Sequence, residues 1–144
     1  MTLEALGFGT RDYLAVVAGG VAYFALGALW FSVLFGKRWM AATGRSPEEF
    51  ADASPGPGML LTLLGAVVST GVVAVVYQWA GGGGVLDGMS VGALIGIGIA
   101  AMEGMKGAVY SFDERAHPWA LYGINAGYAV CGLVLGGAVY ALVA

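Results

Sequence analysis

Glu103 and Lys106 are the two residues of this largely apolar sequence best suited to a chemical role, because they place opposite charges three positions apart within a long apolar run. They lie in the run from Met89 to Phe112, MSVGALIGIGIAAMEGMKGAVYSF, which is long enough to cross a bilayer as a helix. A charged side chain within a transmembrane helix costs roughly 2.5–3.5 kcal/mol on insertion scales, so an ion, proton or substrate site is the default functional interpretation. The structural alternative is a local ion pair. Residues three apart on a helix can pair, with Lys106 reaching the interface and Glu103 paired or neutral.

Helical periodicity places this carboxylate among glycines. At about 100° per residue, Gly92, Gly96, Glu103 and Gly107 fall within a stripe of roughly 60°. Gly88, Gly92 and Gly96 form two overlapping small-xxx-small steps, which allow helix backbones to approach closely in lipid. We therefore expect these three glycines to pack against another helix and Glu103 to lie on the covered face.

The last apolar run adds two polar residues to this candidate intramembrane site. Asn125 and Tyr128 are three residues apart, so they lie on one side of a helix. Asn125 is expected to hydrogen-bond across helices, either to hold helices together or to contact a solute. The same run carries two further small-xxx-small pairs predicted to pack between helices, Gly123 with Gly127 and Gly132 with Gly136.

The sequence contains four long apolar runs, and the helices that they form must position these residues. The 144 residues are 59% hydrophobic and only 10% charged, whereas a soluble domain carries about 25% charge. The runs predict an all-α integral membrane protein, a single membrane domain over residues 1–144. It is a bundle of four transmembrane helices, at about 13–35, 59–79, 89–112 and 119–143.

The first helix has only weak capping signals at its start. Thr2 with Glu4, or Thr10 with Asp12, could cap its start. Trp30 lies deep in the run, so its indole N–H is expected to find an acceptor within the bundle.

A polar segment separates the first two helices. Ser46 is a suitable N-cap, Pro47 a suitable first helical residue, and Glu48 and Glu49 place negative charge in the first turn. The pattern predicts a short interfacial helix that runs to about Ala53.

The cations predict the orientation. Five of the six lysines and arginines fall on the first and third connections or beside them, namely Lys37, Arg38, Arg45, Lys106 and Arg115, and only Arg11 lies at the other side. Cytoplasmic connections carry such an excess. We therefore expect a multi-pass protein of the cytoplasmic membrane with both termini on the non-cytoplasmic side.

Several function classes are disfavoured. Cys131 has no partner for an internal disulfide, and His117, next to a proline, is the only histidine, so no metal and no cofactor is predicted. Glu103 and His117 are 14 residues apart, roughly 20 Å along a helix, so no catalytic residues and no enzyme activity are predicted. The net charge of −3 comes without a basic cluster, which speaks against a nucleic-acid partner.

Two stretches carry a resemblance to a known family. They are GALWFSVLFGKRWM, from Gly27 to Met40, and INAGYAVCGLVLGGAV, from Ile124 to Val139, the latter preceded by FDERAHPW. With the layout of four runs, the chain resembles, over nearly its whole length, the bacterial membrane family called domain of unknown function 1761. The resemblance implies the membrane fold and implies no particular chemistry.

Two functions remain open. One is a small-solute or ion permease or channel, formed as a homo-oligomer in the bilayer, with Glu103 as the coupling carboxylate. The alternative is a non-catalytic accessory or assembly subunit of a larger membrane complex. Glycine-rich helix faces suit both functions.

Overall fold

The computed structural model describes residues 5, 7–51 and 56–144, and all regular secondary structure among them is helical. The helices are, in chain order, α1 (Thr10–Leu29, continued by a π-helical segment Trp30–Leu34), α2 (Gly36–Thr43), α3 (Pro47–Ala51), α4 (Gly56–Trp79), α5 (Val85–Ile95, continued by a π-helical segment Gly96–Ala101), α6 (Met102–Val109) and α7 (Pro118–Val143).

Within the described residues, four helices are long and apolar enough to cross a membrane, by length and composition: Thr10–Leu34, Gly56–Trp79, Val85–Val109 and Pro118–Val143. The predicted all-α fold with four transmembrane helices is confirmed. Each helix begins earlier than its apolar run, and in two of them the first turn holds an acidic residue that hydropathy does not mark. Asp12 and Asp87 both lie in such first turns.

The connection between the first two spans holds two short helices. The first of them, α2, was not predicted from the sequence. It ends at Gly44, whose left-handed φ of 67° suits glycine. Helix α3 begins as predicted, since the Ser46 amide donates to Glu49 Oε2 at 2.7 Å and the Glu49 amide to Ser46 Oγ at 3.4 Å. Its predicted end at Ala53 lies outside the described residues, as do Thr2 and Glu4.

Helix α7 is the centre of the bundle and packs against α1, α4 and α5. Its buried residues recur every three or four positions: Gly132, Leu133, Gly136, Gly137 and Tyr140. Tyr140 is completely buried, as are Val73 and Thr70 of α4. The interior of the protomer is therefore filled by side chains and close backbone contacts around α7.

The backbones of α5 and α7 meet most closely at two glycines. A Cβ on Gly88 would strike the carbonyl of Gly137, and one on Gly92 would strike the carbonyl of Leu133. A backbone carbonyl cannot rotate away as a side chain can, so this crossing requires glycine at both positions.

The start of α1 and the end of α7 lie at the same end of the bundle. Arg11 Nε, in the first turn of α1, donates to the Val143 carbonyl at the end of α7, at 2.6 Å. This contact fits four crossings that return the chain to its starting side.

Candidate functional site

The predicted ion pair is present on α6. Lys106 Nζ and Glu103 Oε2 are 2.6 Å apart, and the side chains are 65% and 64% exposed, respectively. The pair lies within the spanning segment Val85–Val109. Glu103 is about 9 Å from the helix end at 1.5 Å per residue. Glu103 therefore points away from the protomer at a depth where lipid or another chain surrounds it.

The expected position of Glu103 on the covered face is wrong for the protomer, and the π-helical segment Gly96–Ala101 gives the reason. A π segment holds an extra residue within the helix, and one residue turns all later positions by about 100°. The buried stripe runs through Gly88, Gly92 and Gly96 but continues at Ala101 and Ala108. The regular spacing would have continued it near residues 100, 103 and 107.

Asn125 does not behave as expected either. Its side chain is exposed, and it forms no hydrogen bond across helices with any residue that the structure describes. It lines a cavity between α6 and α7 instead.

Tyr128 faces a different helix from Asn125. Its ring lies 5.2 Å from that of Tyr23 and 5.0 Å from that of Phe31 between centroids, and its hydroxyl donates to the Tyr23 carbonyl at 3.4 Å. Tyr128 therefore joins α7 to α1, and the structure does not bring it together with Glu103.

Most of the glycines named for helix packing do pack. Gly88, Gly92 and Gly96 pack against α7. On α7 itself, Gly127 lies against the Trp30 ring, Gly132 against the Tyr23 ring, and Gly136 against Thr70. Gly123 is the exception, since a Cβ there would meet nothing within 4 Å. The indole of Trp30 has the acceptor expected for it, the Ile124 carbonyl at 3.0 Å.

The cavity beside Asn125 has a volume of about 240 Å³ and is lined largely by small residues. Gly104 and Gly107 form its wall on α6, and Tyr122 and Asn125 form its wall on α7. On α6, Glu103 is rotated about 40° from Gly107. We call this cavity together with Glu103 and Lys106 the polar groove.

A polar cluster that the sequence did not predict lies at the opposite end of the bundle. Tyr140 Oη donates to Asp12 Oδ1 at 2.7 Å, and Gln78 Nε2 donates to the same oxygen at 2.9 Å and to Tyr140 Oη at 3.0 Å. The second oxygen, Oδ2, accepts the Gly9 amide at 2.9 Å. The buried carboxylate is thus held by three helix ends, those of α1, α4 and α7. The sequence feature that could have indicated this cluster is Asp12, an acidic residue at the start of an apolar run.

These two polar regions differ in what they can do. In the Asp12 cluster both carboxylate oxygens, the Tyr140 hydroxyl and the Gln78 amide nitrogen are hydrogen-bonded within the protomer, so the cluster serves packing. The polar groove is open at the side of the protomer, where Asn125 lies in the cavity wall and the exposed pair of Glu103 and Lys106 lies beside the cavity on α6. The described residues contain no group of three or more His, Cys, Asp or Glu that could hold a metal ion.

The helices and the placement of the polar groups define a small multi-pass membrane protein. Residues 14–141 match the model of a family described as "Protein of unknown function (DUF1761)". The chain belongs to this family, which is the one that the two sequence stretches resemble. No curated protein and no solved structure matches the chain.

Proposed function

We propose that the protein is a small-solute or ion permease or channel that works as a homo-oligomer, with the path between protomers along the polar groove. The observation that carries the proposal is the ion pair of Glu103 and Lys106, which is about two-thirds exposed within a spanning helix. Charges at membrane depth typically face a bundle interior or an aqueous cavity. In this protein the protomer interior does not provide that cover, so a second copy would supply it.

The groove has the features that such a contact needs. Small residues on α6 and α7 allow close approach of another helix. Asn125 and the Glu103 carboxylate then provide polar groups for a permeating ion or solute at the interface between copies. Glu103 would be the coordinating or coupling group in this arrangement.

A second candidate is the accessory or assembly subunit of a larger membrane complex. The close packing around α7 favours it, because the contacts of Gly88, Gly92 and Tyr140 fill the centre of the bundle. The polar groove would then receive a helix of a different protein.

The oligomer is tested by disulfide trapping in native membranes. In a Cys131→Ser background, Gly107→Cys should give crosslinked dimers of this chain on oxidation. Leu60→Cys, which is 59% exposed on α4, is the matched control and should stay monomeric. Native mass spectrometry of the gently extracted protein should show one homo-oligomer. A heteromeric particle would favour the second candidate.

Transport is tested in vesicles that contain the purified protein. Proton and potassium fluxes, followed with an internal dye, should exceed those of empty vesicles. Glu103→Gln should keep the oligomer and lose the flux, whereas Glu114→Gln, in the connection outside the spans, should retain it. Crosslinked dimers without any flux above that of empty vesicles would argue against transport of these ions.

A further inference from the structure

A second cavity, away from the polar groove, lies where α1, α2 and α7 meet. Its volume is about 520 Å³, within the range of small-molecule sites. Trp30 of the first π-helical segment, Arg38 of α2, and His117 and Trp119 at the start of α7 contribute to its wall.

The wall of this cavity is held in place by hydrogen bonds across the sequence. Trp30 Nε1 donates to the Ile124 carbonyl at 3.0 Å. The His117 amide donates to the Ala42 carbonyl at 2.8 Å and so ties the end of α2 to the start of α7. The cavity is therefore part of the fold and does not depend on one surface rotamer.

The chemistry of the wall is divided. Its apolar part is formed by Trp30, Phe35 and Ile124, and its polar part by the Arg38 guanidinium and the His117 imidazole. Among the residues that the structure describes, neither of these two polar side chains has an ion-pair or hydrogen-bond partner. A guanidinium group presents several donors in one plane and matches the oxygens of a phosphate group.

We propose that this cavity binds an anionic phospholipid of the surrounding bilayer. Arg38 and His117 contact the headgroup phosphate, and the upper part of an acyl chain lies against Trp30 and Phe35. The position supports a lipid because the cavity lies at the ends of two spanning helices, next to the headgroup layer. Basic pockets between transmembrane helices on the cytoplasmic side bind such headgroups. This inference concerns α1, α2 and α7, so it does not depend on the permease proposal.

The test uses tryptophan fluorescence in phosphatidylcholine vesicles. A Trp39→Phe/Trp79→Phe protein retains Trp30 and Trp119, both at the cavity. Its fluorescence is quenched by brominated phosphatidylglycerol or by brominated phosphatidylcholine at equal mole fraction. The association constant for brominated phosphatidylglycerol should be about fivefold higher than that for brominated phosphatidylcholine. This factor is the contribution of one arginine near a membrane surface.

Two variants and one control distinguish specific binding in the cavity from general attraction of the anionic lipid by surface cations. Arg38→Gln should abolish the preference, and Gly123→Leu should reduce it by filling the cavity without changing the charge. Lys37→Gln removes the neighbouring exposed cation, which is not part of the wall, and should leave the preference unchanged.

Any one of three quenching results would overturn the proposal. They are equal quenching by the two lipids in the reporter protein, equal losses with Arg38→Gln and Lys37→Gln, and unchanged preference with Gly123→Leu. Excess inorganic phosphate should not displace the brominated lipid. If it does, the site binds soluble phosphate and the lipid is not its ligand.

Discussion

Two carboxylates in the spanning helices, Asp12 and Glu103, have opposite surroundings. Asp12 is 8% exposed, whereas the Glu103 side chain is 64% exposed. The oxygens of Asp12 accept hydrogen bonds from Gly9, Gln78 and Tyr140. Glu103 has its salt-bridge partner, Lys106, on the same helix.

The difference shows how the protomer divides its polar groups. A buried carboxylate is costly unless hydrogen bonds replace its hydration, and at Asp12 three helix ends do so. An exposed pair needs only the right spacing along one helix. Polarity at the Asp12 end thus holds the bundle together, while polarity at Glu103 is presented to the outside.

Removal of the buried carboxylate should have the largest effect on stability. Asp12→Ala removes the acceptor of Tyr140 and Gln78 together with the cap of α1, so the free energy of unfolding should fall by about 3 kcal/mol. Unfolding in mixed micelles of detergent and SDS, followed by circular dichroism, measures this loss. Asp87→Ala is the matched control, since Asp87 also caps a first turn, by accepting the Gly83 amide at 2.9 Å, but is exposed. The control should lose less than about 1 kcal/mol, and equal losses would contradict the comparison.

A smaller change at the same cluster should measure the contribution of one hydrogen bond. Tyr140→Phe removes the 2.7 Å donor to Asp12 and keeps the ring in the core, so it should cost about 1.5 kcal/mol. In the same unfolding assay, Tyr110→Phe on the exposed surface should be neutral. The double variant Asp12→Ala/Tyr140→Phe should lose less than the sum of the single variants. Strict additivity would mean that this hydrogen bond does not contribute.

The exposed pair should show weak coupling. Glu103→Gln, Lys106→Met and the double variant form a cycle, and their coupling in dispersed protomers should be about 0.5 kcal/mol, as for exposed pairs on one helix. The same unfolding assay gives this value. A coupling of several kcal/mol in dispersed protomers would show that the pair is covered and would remove the contrast with Asp12.

Glu49, a carboxylate outside the spanning helices, should make the smallest contribution to stability in this comparison, and that contribution should depend on pH. The Ser46 amide, and then Arg115 and Arg45, hold the pKa of Glu49 below its usual value, although desolvation opposes them. Because the folded-state pKa is the lower one, its stabilising contribution is present above the unfolded pKa of about 4.3. It is lost as the pH falls through the folded pKa. The Ser46 amide resonance in NMR should shift over this range, and Glu49→Gln should abolish that shift. A shift that persists in Glu49→Gln would assign it to another group.

Local patterns could be predicted from the sequence. The four spanning helices follow from long apolar runs, and the start of α3 follows from the order of Ser46, Pro47 and two glutamates. The ion pair of Glu103 and Lys106 follows from a three-residue spacing. Each of these depends on residues that are neighbours along the chain, so no knowledge of the tertiary fold was needed.

The register of the third span could not be predicted. The sequence GIGIAA of the segment Gly96–Ala101 is compatible with a regular α-helix. In the folded protein this segment packs against α7 and takes an extra residue in π form, and that extra residue moves Glu103 out of the covered stripe. Asn125 was misplaced for a related reason, since hydrophobicity shows that a polar residue is in a span but not which neighbour it faces.

The sequence is sufficient to predict a four-helix membrane protein of a recognisable family, because the bilayer requires long apolar helices whatever their arrangement. Which polar groups are enclosed depends on the tertiary fold. The partners of Asp12 lie 66 and 128 residues away along the chain, and the spacing of one helix carries no information about such distant residues. Helix packing around α7 brings Asp12, Gln78 and Tyr140 together and leaves Glu103 at the surface.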